Sequence, residues 1–311
     1  MRLDFSILGR AGRLGLTLFS VVCLSACSPD PPVKLLDADP NRSGALGEPG
    51  VFGAFLHERT FRVRVDEAVD ADVIVPGQTA EVPPDAPFPP VIFVPGALVD
   101  AERYRWLGAH IASRGFTVIA PHEELFSLLE LGNIFDVFQA VRGAAQDPSD
   151  PLWNVVRPDA PALVAGHSLG GVSAAKVWAS QPNDFSHLVF LCSTTDSADD
   201  YSTRPLLGNE RILSLVGSAD TRLSEQSARD GLKTFRPPVT FAAVEGMIHN
   251  HVVENPTESE LADDGTPTID EEKARFLTMF LVDSMLADFI GQDNPLENPA
   301  AWPQGLVPLA R

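Results

Sequence analysis

Short, wholly apolar runs alternate with segments of helical spacing, and this alternation constrains the fold of the 311-residue chain more than any other sequence feature. A strand that is apolar at every position is buried on both faces of its sheet, and the intervening helices cover those faces. The apolar runs are residues 91–94, 116–120, 161–165, 187–191, 212–216 and 239–244. The helical segments are residues 101–114, 125–145, 169–180, 225–235 and 270–290. The pattern predicts the α/β class, with a mostly parallel central sheet flanked by helices on both faces.

Weaker patterns flank this region. Residues 61–65 alternate between apolar and polar side chains, as in a half-buried strand, and residues 72–75 form a second candidate strand. Residues 83–90 are rich in proline and predict a loop. The run at 239–244 is the last predicted strand. The tail from Gly291, rich in proline and asparagine, is predicted to pack as a loop.

The N-terminus predicts export. Arg2, Arg10 and Arg13 precede an apolar run that is too short to span a bilayer as a stable helix, and the sequence Leu-Ser-Ala-Cys then ends at Cys27. This arrangement resembles a bacterial lipobox, which implies cleavage before Cys27 and lipidation of that cysteine. Plain secretion with cleavage nearby is the alternative. We therefore predict a lipoprotein signal peptide over residues 1–26, a flexible tether over 27–50 and a single α/β domain over 51–311. The domain would lie on the periplasmic or surface side of a bacterial cell envelope.

Charge and cysteine content restrict the partners. The formal net charge of −19 excludes nucleic acid and electrostatic docking on anionic lipid, since both need a basic surface. A neutral or apolar substrate fits this charge, and the membrane would be reached through the lipid on Cys27. With Cys23 in the signal and Cys27 lipidated, Cys192 has no partner for an intramolecular disulfide. Stability must then come from the core, for which 44% hydrophobic residues suffice.

A possible nucleophile lies between the run at 161–165 and the helix at 169–180. There the chain reads Gly-His-Ser-Leu-Gly-Gly, with Ser168 at the centre of a G-x-S-x-G pattern. Such a turn is sharp, so its flanking residues must be small, and the serine projects from the carboxyl end of the sheet at a helix N-terminus. The strand before and the helix after the pattern favour Ser168 as a catalytic nucleophile.

A serine hydroxyl needs a base and a group that orients the base. Asp220 follows the run at 212–216, and His249 follows the run at 239–244, so both are predicted at the same edge of the sheet as Ser168. Asp220 could instead cap a helix, and Asp196 and Asp199 are weaker candidates for the acid.

His251 is the competing base. Gly246 allows the chain to turn just before His249, whereas His251 falls further along, towards a short helix or a contact with a lid.

Two backbone N–H groups are expected to form an oxyanion hole. The N–H of Leu169 follows the nucleophile, and the N–H of Ala97 follows Gly96 in the loop after the run at 91–94. A turn without a catalytic role is the alternative for this loop.

These motifs resemble the α/β-hydrolase superfamily over about residues 91–290. The matching segments are V-I-F-V-P-G-A, residues 104–121, G-H-S-L-G-G, G-S-A-D and E-G-M-I-H. The resemblance is strongest to exported serine esterases that include cutinase-like, chlorophyllase-like and dienelactone-hydrolase-like proteins. It implies the α/β-hydrolase fold and a carboxylic ester hydrolase with the triad Ser168, Asp220 and His249. Ala97 stands where polyester hydrolases of this branch usually carry an aromatic residue, and the paired cysteines of secreted members are missing.

The remaining polar residues predict less. No ligand spacing for a metal is present, and no cofactor is expected. His167 is interpreted as packing, and His122 could line the pocket. The acidic stretch 254–272 is interpreted as a solvated loop rather than a calcium site. Hydrolysis of an amide, thioester or other bond by the same triad, or a non-catalytic binding protein on this scaffold, stays open as the alternative function.

Overall fold

The computed structural model describes residues 34–39, 58–64, 70–76, 87–122, 131–195, 199–292 and 294–309. Its ten strands form one sheet in the order β1-β2-β3-β5-β4-β6-β7-β8-β9-β10. The strands are β1 Lys34–Asp39, β2 Glu58–Arg64, β3 Asp70–Pro76, β4 Pro90–Val94, β5 Thr117–His122, β6 Ala162–His167, β7 Phe185–Leu191, β8 Ile212–Gly217, β9 Val239–Val244 and β10 Leu306–Pro308. Strands β5, β4, β6, β7, β8 and β9 run parallel, and the outer strands are antiparallel. The predicted mostly parallel sheet is confirmed.

Helices cover both faces of the sheet. They are α1 Arg105–Ser113, α2 Leu131–Ala144, α3 Leu169–Ser180, α4 Glu225–Gly231, α5 Glu258–Leu261 and α6 Glu271–Phe289. Short 3-10 turns lie at Ala101–Tyr104, His249–Val252, Pro295–Glu297 and Pro299–Ala301. Helices α2, α3 and α4 pack on one face, whereas α1 and α6 pack on the other. Among the described residues, no helix is both long and apolar enough to cross a lipid bilayer.

The central strands are apolar throughout because each contributes to two cores. In β4, Ile92 and Val94 enter the core under α2 and α3, whereas Val91 and Phe93 enter the core under α1 and α6. All four side chains are buried, and burial of one such side chain is worth about 1.5–3 kcal/mol. This double burial holds the carboxyl ends of the parallel strands in fixed register at one edge.

The structure differs from the sequence predictions mainly at the ends of the sheet. Residues 34–39, inside the predicted tether 27–50, form β1, which pairs with the otherwise open edge of β2. The run at 239–244 is not the last strand, because residues 306–308 of the predicted loop tail pair with it as β10. The helix predicted over 225–235 ends at Gly231. Three predicted features lie outside the described residues. They are residues 125–130 of another predicted helix, the proline-rich segment up to residue 86, and the whole predicted signal peptide with Cys27.

Candidate active site

Ser168 occupies a strained turn between β6 and α3. Its backbone has φ 52° and ψ −125°, a region that non-glycine residues rarely adopt. A Cβ on Gly166 would collide with the backbone of Gly170, and a Cβ on Gly170 would collide with the carbonyl oxygens of Val94 and Pro95. Both glycines are therefore required by close backbone approach, which brings the turn against the end of β4. Ser168 is half-buried at the carboxyl edge of the sheet.

The end of β7 supports this turn. The Ser168 N–H donates to the Leu191 carbonyl at 3.1 Å, and the Ser193 hydroxyl donates to the Ser168 carbonyl at 2.5 Å. Both backbone polar groups of Ser168 are thus bonded to β7 and the residues after it. These contacts stabilise a conformation that would otherwise relax, since strained backbone persists only where its surroundings fix it.

Asp220 and His249 form a buried acid–imidazole pair. The Asp220 Oδ2 lies 2.8 Å from His249 Nδ1, and the Asp220 Oδ1 accepts from the N–H groups of Arg222 and Leu223, each at 2.8 Å. A carboxylate at Nδ1 holds the proton on that nitrogen, so the neutral ring presents a bare Nε2 that can accept a proton. The alternative role of Asp220 as a helix cap does not apply to α4, whose N-cap is Ser224.

The loops that carry the acid and the base are bonded to each other. The Ser218 N–H donates to the Val244 carbonyl at 3.0 Å, and the Ala219 N–H donates to the Met247 carbonyl at 3.0 Å. In return, the Gly246 N–H donates to the Ser218 hydroxyl at 2.9 Å. The distance between Asp220 and His249 is therefore fixed by the backbone of two neighbouring strands.

Asp264 anchors the loop that carries His249, called the base loop below. The sequence analysis did not identify this residue. Its two carboxylate oxygens accept the N–H groups of His249 and Asn250, each at 2.7 Å, and its side chain has no exposed surface. Burial raises the pKa of this carboxyl group. Asp264 belongs to the acidic stretch 254–272, so the prediction of a solvated loop is wrong here. The structure shows why an acceptor is needed here, since the first N–H groups of the 3-10 turn at His249 have no partner within the turn.

Further contacts join the turn at Ser168, called the elbow below, to the loop that carries His249. The rings of His167 and His249 lie 4.8 Å apart between centroids, and His167 Nε2 lies 3.1 Å from the His249 carbonyl oxygen. Ser168, Asp220 and His249 thus share one edge of the sheet, at the ends of β6, β8 and β9. His251 is also buried, in the same 3-10 turn, but its Nδ1 has no hydrogen-bond partner and burial lowers its pKa.

The loop after β4 lies beside the elbow. The Gly96 carbonyl accepts from the Val99 N–H at 3.1 Å, which closes a turn around Ala97 and Leu98. Because the two polar groups of a trans peptide point in opposite directions, the Ala97 N–H points away from this turn. Leu98 has φ 63° and is 81% exposed. The N–H groups of Ala97 and Leu169 therefore belong to two adjoining segments, since β4 and β6 are neighbours with Val94 opposite Gly166.

The other histidines bind carboxylates away from this pair. His122 contacts Asp72 at 2.8 Å and Asp100 at 3.0 Å, so it belongs to a charged cluster with Arg62. His110 bonds to Asp283 and His187 to Asp288, while His57 lies outside the described residues.

Within the part of the chain that the structure describes, one group could hold a metal ion. Cys192, Asp220 and His249 have ligand atoms within 4.8 Å of one another. Two of these three side chains are already bonded to each other at 2.8 Å, so a metal would have to break the acid–imidazole pair. Burial also raises the pKa of the Cys192 thiol well above its ordinary value, which disfavours the thiolate that metals bind.

Comparison with known proteins gives a family and a fold. Residues 90–257 match the model of the alpha/beta hydrolase family. No curated protein matches the sequence. Among solved structures, the chain is similar to a ferulic acid esterase from Streptomyces cinnamoneus, with a TM-score of 0.61 and 15% sequence identity. The similarity covers 91% of this chain and 98% of that chain. At this identity, the likeness concerns the fold.

Proposed function

The chain belongs to the alpha/beta hydrolase family, and we propose that it is a serine carboxylesterase working through an acyl-enzyme. The observation that carries the proposal is the 2.8 Å bond between Asp220 and His249, at the edge of the sheet where Ser168 has its strained backbone. A fold of this family can host many functions, but a buried carboxylate on Nδ1 of a histidine has a specific chemical use.

In the proposed reaction, Ser168 Oγ attacks the acyl carbon while His249 Nε2 takes its proton. Asp220 orients the ring and stabilises the imidazolium that forms. The N–H groups of Ala97 and Leu169 hold the negative oxygen of the tetrahedral intermediate, and the N-terminus of α3 favours the same charge. His249 then returns the proton to the departing alcohol. Water, activated by the same imidazole, releases the acid and restores Ser168.

We propose a neutral or apolar ester as substrate. The net charge of −19 disfavours anionic substrates in general, and the exposed Leu98 provides an apolar side chain beside Ala97. The Streptomyces protein is described as a ferulic acid esterase, which is compatible with an ester substrate here.

We propose further that the protein is exported and anchored through lipid on Cys27. Three arginines, an apolar run and the Leu-Ser-Ala-Cys sequence support this placement. The active site would then act in the cell envelope, on substrates outside the cytoplasm.

The test is to label the full-length protein with a fluorophosphonate and then to assay p-nitrophenyl esters of rising acyl length. We expect labelling and turnover, both lost in Ser168→Ala. The matched control is Ser180→Ala, at the far end of α3, where the hydroxyl donates to the local Val177 carbonyl at 3.2 Å. Labelling without ester turnover would favour an amide or thioester substrate. Failure to label a folded protein would favour a non-catalytic binding protein.

A further inference from the structure

A chain of buried hydrogen bonds runs from the loop after β4 to the base loop, through the residue that precedes Ser168. The Gly96 N–H donates to the Tyr104 hydroxyl oxygen at 3.0 Å, and this oxygen lies 2.7 Å from His167 Nδ1. His167 Nε2 lies 3.1 Å from the His249 carbonyl oxygen. Tyr104 is 2% exposed and His167 is 1% exposed, so water does not compete for these bonds.

The direction of each bond follows from the groups at the two ends. A carbonyl oxygen can only accept, so His167 Nε2 must carry a proton to bond with His249. Complete burial holds the pKa of His167 well below its ordinary value, so the ring is neutral and its Nδ1 is bare. Nδ1 therefore accepts, and the Tyr104 hydroxyl donates to it. Burial also raises the pKa of Tyr104, which keeps that proton in place.

Gly96, the first residue of this series of hydrogen bonds, must be a glycine because of the same packing. A Cβ on Gly96 would lie 2.8 Å from His167 Nδ1 and 2.9 Å from the Tyr104 hydroxyl. Both are closer than real Cβ contacts allow, so any other residue would push the loop off the tyrosine. The Gly96 N–H is bonded to Tyr104, and the Gly96 carbonyl is bonded to Val99. Gly96 is therefore fixed through both of its backbone polar groups, and its carbonyl belongs to the peptide that carries the Ala97 N–H.

We propose that Tyr104 and His167 are positioning residues for ester hydrolysis, which couple the oxyanion loop at Gly96 and Ala97 to the backbone of the base His249. This inference rests on the proposed function. The two halves of the machinery come from strands β4 and β9, which are separated in the sheet, and the Tyr104–His167 link joins them across the elbow. An error of about 1 Å in such an arrangement can lower turnover by about 10²-fold. His167 was interpreted as packing from the sequence, and the structure gives it two polar partners instead.

The test compares turnover per fluorophosphonate-titrated site with thermal stability in four full-length variants. Tyr104→Phe removes the two bonds of the tyrosine hydroxyl, to Gly96 and His167. His167→Leu removes the two bonds of the imidazole, to Tyr104 and His249. His167→Gln keeps both bonds of the imidazole, because an amide offers an acceptor oxygen beside a donor nitrogen. Tyr201→Phe is the matched control, since Tyr201 is also buried and its hydroxyl bonds Asp199 away from the elbow.

We expect Tyr104→Phe to lower kcat about 5–20-fold and His167→Leu about 10–100-fold, with KM within about twofold of the wild-type value. His167→Gln should stay within about threefold of wild-type kcat, and Tyr201→Phe should leave kcat unchanged. Lower melting temperatures with wild-type kcat in Tyr104→Phe and His167→Leu would reduce the pair to structural packing and overturn the proposal. If His167→Leu does not fold, Tyr104→Phe and His167→Gln decide the same question.

An NMR measurement of the His167 tautomer tests this proposal independently of the proposed function. In protein labelled with ¹⁵N-histidine, the resonances lost in His167→Gln identify His167. We expect a protonated Nε2, a bare Nδ1, and a shift of Nδ1 in Tyr104→Phe. The opposite tautomer, or a Nδ1 resonance that ignores Tyr104→Phe, would overturn the hydrogen-bonded chain. If the wild-type protein hydrolysed no ester, the proposed function would fail, and this tautomer would decide whether the chain exists.

Discussion

The ion pair between Arg103 and Glu260 should make the stability of the protein depend on pH. Arg103 follows the loop after β4, and its guanidinium binds both Glu260 carboxylate oxygens, at 2.7 and 2.9 Å. It also donates to the carbonyl oxygens of Glu254 and Asn255, at 3.1 and 2.9 Å. The pair therefore connects the 3-10 turn after the Gly96–Ala97 loop to the segment that follows His249. Glu260→Gln removes the ion pair, because it deletes the charge of the side chain and keeps its size.

The size of the effect follows from the pKa of Glu260. The Arg103 guanidinium, with help from Thr257, lowers this pKa from 4.5 to about 2. At about 1.4 kcal/mol per pKa unit, the difference corresponds to about 3 kcal/mol. The two side chains keep 24% and 20% of their surface exposed, so solvent screens the pair, and about 1–2 kcal/mol is the expected loss at pH 7. Because the folded pKa is depressed, this stability is present above pH 4.5 and is lost as the pH falls towards 2.

Urea unfolding at pH 7 and at about pH 3 measures this dependence. We expect Glu260→Gln to be less stable than wild type at pH 7 and closer to wild type at the lower pH. Glu258→Gln, on the same short helix but exposed, is the control and should change stability little at either pH. An equal loss for Glu260→Gln at both values, or no loss at pH 7, would refute the charge argument.

Three further predictions concern the site and its anchor. His249→Ala should lower turnover of an activated ester by about 10³-fold or more, whereas His251→Ala should stay within about tenfold, and a reversed result would move the base to His251. Asp264→Asn should lower stability by about 1–3 kcal/mol in urea unfolding and also lower kcat, because one carboxylate oxygen that accepts a base-loop N–H becomes a donor. An unchanged kcat would limit Asp264 to a structural role. Mass spectrometry of the mature N-terminus should find lipid on Cys27, and an unmodified terminus at another residue would contradict the anchor.

The central sheet could be predicted because the burial of each strand is visible in that strand's own residues. A strand such as β4 is buried on both faces, so its composition alone reveals its place. Strands β1 and β10 could not be predicted in this way, since each is defined by pairing with a free edge of the sheet. Composition carries no information on that pairing, and the segment 34–39 looked like a polar linker.

The same distinction applies to the candidate site. Ser168, Asp220 and His249 could be named as candidates because each follows a recognisable strand, and parallel strands bring their carboxyl ends to one edge. Tyr104 and Asp264 were missed because their roles depend on contacts between distant elements. Tyr104 meets His167 across 63 positions of sequence, and Asp264 comes from a stretch whose acidity suggested solvent. Such contacts follow from packing rather than from any pattern in the residues around them.

The most direct measurement is the mass of the protein quenched during turnover of a slowly hydrolysed activated ester, with the adduct mapped to a peptide. An acyl-enzyme mechanism predicts one acyl group on the peptide that contains Ser168. It also predicts that Ser168→Ala carries no adduct and loses turnover by several orders of magnitude while its urea unfolding matches wild type. An adduct on another residue, or near-normal turnover by the folded Ser168→Ala variant, would contradict the assignment of Ser168 as the nucleophile.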